Sequence, residues 1–172
     1  RIDSIVAKGR NPVPNHVRFT TWWLRYNRSF WVTVQGMGTE WERATVDAEI
    51  TDERNIKVST KNITALTLSM PTGLCPLDNT VPPTIIIDGK KLKGSPVWSD
   101  RSFETHLSKL DGSWKVVTNL DSDTLRKKPG LQGPIDDAFM DSFLFVTPTG
   151  TPLNPQIGAW VEAEKTHAIV HW

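Results

Sequence analysis

A single cysteine, Cys75, among 172 residues excludes an intramolecular disulfide framework and every cysteine-rich zinc site. It leaves the redox compartment open. Charge of one sign is also missing: 20 Lys and Arg against 19 Asp and Glu leave a net +1, too little for an electrostatic footprint on nucleic acid or an anionic bilayer. Neither partner is expected. No apolar run approaches the roughly 20 residues that a membrane-spanning helix needs, and the chain opens on Arg1-Ile2-Asp3 without a signal-peptide core. A soluble piece, processed or cut, is the expectation. A nucleophile elbow requires two glycines four residues apart with Ser between them, and none of the 11 glycines form such a pair. Tyrosine is nearly absent, with one residue against eight tryptophans.

What is present suits one real core. With 38% hydrophobic and 23% charged residues, a chain of this length buries about 70% of its unfolded surface. Ile2, Ile5 and Val6 have helical spacing before Lys8 and Gly9, which reads as the tail of a helix whose beginning is missing. From His16 the texture becomes strand-like: Val17, Phe19, Thr21 and Trp23 alternate with Arg18, Thr20, Trp22 and Leu24, predicting a strand over 16–26. Tyr26 to Ser29 reads as a turn. Phe30, Val32 and Val34 then alternate with Trp31, Thr33 and Gln35, suggesting that the two strands form a hairpin. Further strand runs fall at 44–51, 55–61, 63–70, 84–88, 102–109 and 113–118, with Asp88-Gly89 and Asp111-Gly112 as turn signals. Their even spacing predicts an antiparallel β-sandwich of immunoglobulin-like type over 11–120.

Residues 121–133, with Arg126, Lys127, Lys128, Pro129 and Gly130, have no periodicity and read as a surface linker. Residues 134–172 read as a partial β-α unit. Phe143 to Thr147 is apolar on both faces, as a strand covered on two sides would be. Asn154 then fits an N-cap, Pro155 a first helical residue, and Ile157, Trp160, Val161 and Ala168 an apolar stripe. No stop signal closes this helix before Trp172, so the unit is expected to be truncated.

Motifs for chemistry are few. Gly89 to Ser95 has the glycine spacing of a phosphate loop but places Ser95 where the lysine belongs, so a basic hairpin arm is the simpler reading. Gly36-Met37-Gly38 lacks the third glycine of a dinucleotide fingerprint and reads as a turn. His167 and His171 have ligand spacing without an intervening Glu, and Asp136, Asp137 and Asp141 read as loop or cap residues. No catalytic residue, metal or cofactor is expected in this chain. Asn27-Arg28-Ser29 and Asn62-Ile63-Thr64 match the glycosylation sequon. The tryptophans are the better hint, because an indole on a sheet stacks on sugar C–H faces or docks another domain. Trp22 and Trp31 fall opposite the Phe-Val faces of their strands and are expected on an exposed face; Trp41 and Trp98 join them as ligand or interface candidates.

The strings Arg10-Asn11-Pro12, Val17 to Thr21, Leu24 to Asn27, Trp31-Val32 and above all Gly130-Leu131-Gln132-Gly133-Pro134-Ile135-Asp136-Asp137-Ala138-Phe139 resemble the C-terminal region of bacterial, planctomycete-type prolyl-oligopeptidase-family proteins. Those are secreted α/β-hydrolase-type serine peptidases or esterases. The resemblance implies that residues 1–10 end a hydrolase domain and that the catalytic triad lies upstream. It implies an extracytoplasmic location, with the protein's own catalytic domain as partner. A non-catalytic accessory β-sandwich is the function it implies; a carbohydrate-binding module using exposed Trp residues is the alternative.

Overall fold

Inward-facing apolar residues at every second position shape two sheets around one core. The computed structural model describes residues 2, 3, 6, 9–120, 127–130 and 142–171. The chain divides into two compact units, Arg1–Ala138 and Phe139–Trp172. In the first, ten strands follow one another: β1 (His16–Thr21), β2 (Arg28–Ser29), β3 (Val32–Met37), β4 (Ala44–Asp52), β5 (Asn55–Lys61), β6 (Ile63–Met70), β7 (Thr84–Ile87), β8 (Lys90–Lys93), β9 (Phe103–Leu110) and β10 (Ser113–Val117). They form two five-stranded sheets, β1-β4-β5-β7-β8 and β10-β9-β6-β3-β2. Ala44, Val46, Ala48, Ile56, Val58, Ile85 and Ile87 of one sheet share a buried cluster with Val32, Val34, Leu66, Leu68, Phe103 and Leu107 of the other. The expected mainly β architecture, a sandwich followed by a helix, is the one adopted.

The turns obey local chemistry. Asp88 and Gly89 (φ 47° and 83°) and Asp111 and Gly112 (φ 50° and 74°) are left-handed pairs that join β7 to β8 and β9 to β10, as a two-residue hairpin demands. Asn62, at φ 57°, is the single residue between β5 and β6 and carries the chain from one sheet to the other. Its amide donates to the Thr39 carbonyl (2.8 Å) and accepts from the Thr39 N–H (2.8 Å). Lys90, Lys91 and Lys93 lie on edge strand β8, where charge deters pairing with other chains.

Three expectations for the sandwich are corrected. The strand predicted over 16–26 ends at Thr21, because the Thr21 hydroxyl donates to the Trp23 carbonyl (2.8 Å) and bends the chain. One turn of 3-10 helix follows at Leu24–Tyr26, and it buries Leu24. The predicted hairpin with residues 30–35 is therefore not made: β1 pairs with β4 in one sheet, while β3 lies between β2 and β6 in the other. Nor is every pair antiparallel, since β5 and β7 run parallel, connected by the long segment that contains β6.

Ahead of the sandwich, Ile2, Asp3 and Val6 are helical, and Gly9 (φ 67°) donates its N–H to the Val6 carbonyl at 3.0 Å. That is the expected glycine stop. In the second unit, Asn154 caps the helix Pro155–His171 as expected, its side-chain oxygen accepting from the Gln156 N–H at 2.9 Å. The strand expected over 143–147 is not formed: Leu144 and Val146 are exposed. No strand lies beside it among the described residues to complete its hydrogen bonds. The expected stripe is not one-sided either, because Ile169 and Val170 add apolar surface on other faces of the helix and no residue of it is buried. The linker 121–133, apart from Lys127 to Gly130, lies outside the described residues.

The two sheets are joined at Asp88. Its carboxylate accepts from the Thr60 N–H and hydroxyl of β5, each at 2.7 Å, and from the indole N–H of Trp114 in β10 at 2.8 Å. Trp114 is buried, so removing the acceptor strands a donor in the core. We expect Asp88→Ala to lower stability by roughly 3 kcal/mol, measured by urea denaturation. Trp114→Phe in the Asp88→Ala background should recover part of that loss, because no indole N–H remains to be satisfied.

Candidate functional site

The four candidate tryptophans separate into different environments. Trp31 is only 1% exposed, which overturns its expected place on a surface. Phe30 takes φ 50°, so Phe30 and Trp31 form the turn between β2 and β3, and strand alternation does not apply to Trp31. Its indole enters the core and donates to the Pro14 carbonyl at 2.8 Å. Trp98 is exposed in a tight turn closed by bonds between Trp98, Arg101 and Ser102. Trp22 is exposed, though in the bend after β1 rather than on the expected sheet face; Trp41 is exposed too, and its N–H donates to the Trp22 carbonyl at 2.9 Å.

Trp41 belongs to an aromatic group that the sequence did not single out. Its indole stacks on Trp23 with centroids 5.1 Å apart and planes 29° apart, and Tyr26 meets Trp23 edge-on at 5.6 Å and 72°. Two neighbouring loops build this group: residues 22–27, bent by Thr21 and the 3-10 turn, and residues 38–43, held by Asn62. Trp41 has φ 66°, a left-handed conformation costing a bulky residue about 1–2 kcal/mol. Phe30 and Arg101 share that conformation but use it internally. Phe30 packs on the core and beneath the Arg10 guanidinium, and Arg101 donates to the Cys75 carbonyl at 2.6 Å. Trp41 instead remains 67% exposed. The strain at Trp41 thus places an indole in water rather than in the core, which makes this aromatic group the candidate site.

Other groups with chemical potential resolve into scaffold. On the outer face of the second sheet, Gln35 donates to the Thr67 hydroxyl (3.3 Å), which lies 3.0 Å from His106 Nδ1, while His106 Nε2 lies 3.3 Å from Glu104. The order hydroxyl, imidazole, carboxylate is that of a catalytic triad. Thr67, however, is 4% exposed in a strand paired on both sides, so a substrate has no approach and the ladder occupies the amides an oxyanion hole would need. Cys75 is buried, and desolvation pushes its thiol above the ordinary range, opposite to what a nucleophile needs. His167 and His171 share a helix face, with centroids 4.5 Å apart. No group of three potential metal ligands occurs among the described residues. Asp136, Asp137 and Asp141 lie outside those residues.

The remaining motifs are likewise occupied. The Gly94 N–H donates to the Pro83 carbonyl at 2.8 Å, and Gly89 to Lys93 are the turn and second arm of the β7–β8 hairpin, so no phosphate cradle exists. Gly36 and Met37 continue β3 instead of turning, and a Cβ at Gly36 would lie 2.7 Å from the Thr64 hydroxyl. Both sequon asparagines use their amides internally, Asn27 on the Val34 carbonyl and Asn62 on Thr39. Compared with protein-family models, with curated proteins and with solved structures, the chain has no match.

Three carboxylates, Asp52 at the end of β4 and Asp78 and Asp100 in loops, hold the chain around the sheets. Asp52 is lowered by the Asn55 amide and the Arg54 N–H, Asp78 by the Thr80 N–H and hydroxyl with Arg54 adding to them, and Asp100 by the Ser102 hydroxyl and N–H with Thr72 adding to them. Each is below its ordinary value in the folded chain, so its contribution is present above the unfolded value and is lost as pH falls through the folded one. Stability should therefore decline below about pH 4, followed by thermal melts from neutral pH downward. Asp100→Asn should make that decline shallower while lowering stability at neutral pH.

Proposed function

We propose that this chain is a non-catalytic accessory region of a secreted prolyl-oligopeptidase-like serine hydrolase, packing in the whole protein on the catalytic α/β-hydrolase domain. The second unit carries the reading. Leu144, Val146, Leu153, Ile157, Trp160, Ile169 and Val170 are all more than half exposed within 30 described residues. A helix apolar on several faces is stable where other protein covers it, and an exposed apolar surface of this density marks an interface. The partner favoured is the hydrolase domain whose C-terminal neighbour the sequence resembles, which also favours an extracytoplasmic location. In this reading the sandwich supplies a rigid body beside the catalytic domain, and no residue of the chain touches the reacting atoms.

Hydrogen exchange on the full-length protein tests the packing. Amides of 157–171 should exchange at least tenfold more slowly there than in the 172-residue chain; equal exchange in both would overturn the reading. The purified chain should also leave a p-nitrophenyl ester uncleaved. Turnover that survives purification and vanishes in Thr67→Val would make the Thr67, His106 and Glu104 line an active site instead.

A further inference from the structure

We propose that the corner formed by the stacked Trp23 and Trp41 indoles and the edge-on Tyr26 ring is a carbohydrate subsite, taking the flat C–H face of a β-linked pyranose of gluco or xylo configuration. The argument begins with area. An aromatic side chain offers about 150–250 Å² when fully exposed. With Trp41 67% and Tyr26 65% exposed, these two residues together present at most about 300 Å² of accessible surface. A standard protein interface needs about 800 Å² from each partner. The corner is too small for that and suits one or two sugar rings.

Geometry and charge narrow the ligand further. The Trp23–Trp41 stack and the 72° Tyr26 contact orient the rings before any ligand arrives, and this reduces the ordering cost that weakens small-ligand binding. Polar residues adjoin them: Glu40, Glu42 and Arg43 are sequence neighbours of Trp41, and the Arg25 guanidinium carbon lies 5.9 Å from the Tyr26 centroid. Carboxylates and guanidinium groups hydrogen-bond to paired sugar hydroxyls. The same carboxylates oppose a nucleic-acid strand, which needs a continuous basic track beside its stacking rings. A pyranose with equatorial substituents combines a flat apolar face with a hydroxyl rim, and the corner matches both.

The test is titration of the 172-residue chain with cellohexaose and with xylohexaose, followed by tryptophan fluorescence and calorimetry. Saturable binding to at least one, with a Kd of roughly 0.1–1 mM, is expected. Trp41→Ala and Tyr26→Ala should each weaken it at least tenfold, and Trp98→Ala should leave it unchanged. Trp41→Gly separates function from folding, because glycine accepts φ 66° without strain: it should keep or raise Tm while abolishing binding. Absence of saturable binding to both sugars at about 10 mM, retained binding in Trp41→Gly, or a marked fall of Tm in that variant would overturn the proposal. The titration uses the chain alone and the accessory-region reading is tested in the full-length protein, so either can fail without the other.

Discussion

Burying the Trp114 indole between two sheets requires an acceptor for its N–H, and the rest of the sandwich is arranged around the carboxylate that supplies it. Asp88 occupies the first left-handed position of the β7–β8 turn, a place that Asp tolerates. From there it reaches Thr60 in its own sheet and Trp114 in the other. One residue thus sets the hairpin, holds β5 beside it and closes the edge of the opposite sheet. A lone apolar core fixes the distance between sheets but not their lateral alignment; a directional bond across the gap adds that constraint.

Where alternation ran uninterrupted between turn residues, the fold was legible. Ala44 to Asp52, Asn55 to Lys61, Ile63 to Met70 and Phe103 to Leu110 lie within a residue or so of their expected ranges, because one face of each had to be apolar and the other polar. Failures came where one hydroxyl or one left-handed residue changed the chain's direction. Thr21 satisfies alternation as well as any strand residue, yet its hydroxyl captures the Trp23 carbonyl and ends the strand. Phe30 likewise turns the chain and moves Trp31 from an apparent surface position into the core. Phe143 to Thr147 failed for a different reason: a doubly apolar run is a strand only if neighbouring strands exist to pair with it.

The candidate site was legible by composition but not by address. Eight tryptophans pointed to aromatic surface chemistry, and Trp22, Trp41 and Trp98 are indeed exposed. Trp23 and Tyr26 were hidden because periodicity assigned both to a strand that in fact ends at Thr21. Their proximity to Trp41 depends on a bend set by the Thr21 hydroxyl two residues away and on a loop pinned by Asn62, a contact between residues far apart in sequence. One local signal was available: the doublet Trp22-Trp23 places bulky residues on both sides of a strand, which a half-buried strand does not favour.

Strain and satisfaction are distributed unevenly across the sandwich, and the distribution is informative. Asn62, Asp88 and Asp111 are residue types that enter the left-handed region readily, and the first two turn the conformation into hydrogen bonds. Phe30 and Arg101 enter it at greater cost and recover that cost in packing or in a bond to Cys75. Trp41 stands apart, since its neighbours on both sides are polar and its indole gains one stacked contact while most of its surface stays in water. Glycine at that position would relieve the backbone without opening a cavity. The conformation therefore contributes little to the packing of the sandwich, since the ring makes one stacked contact and is otherwise in water.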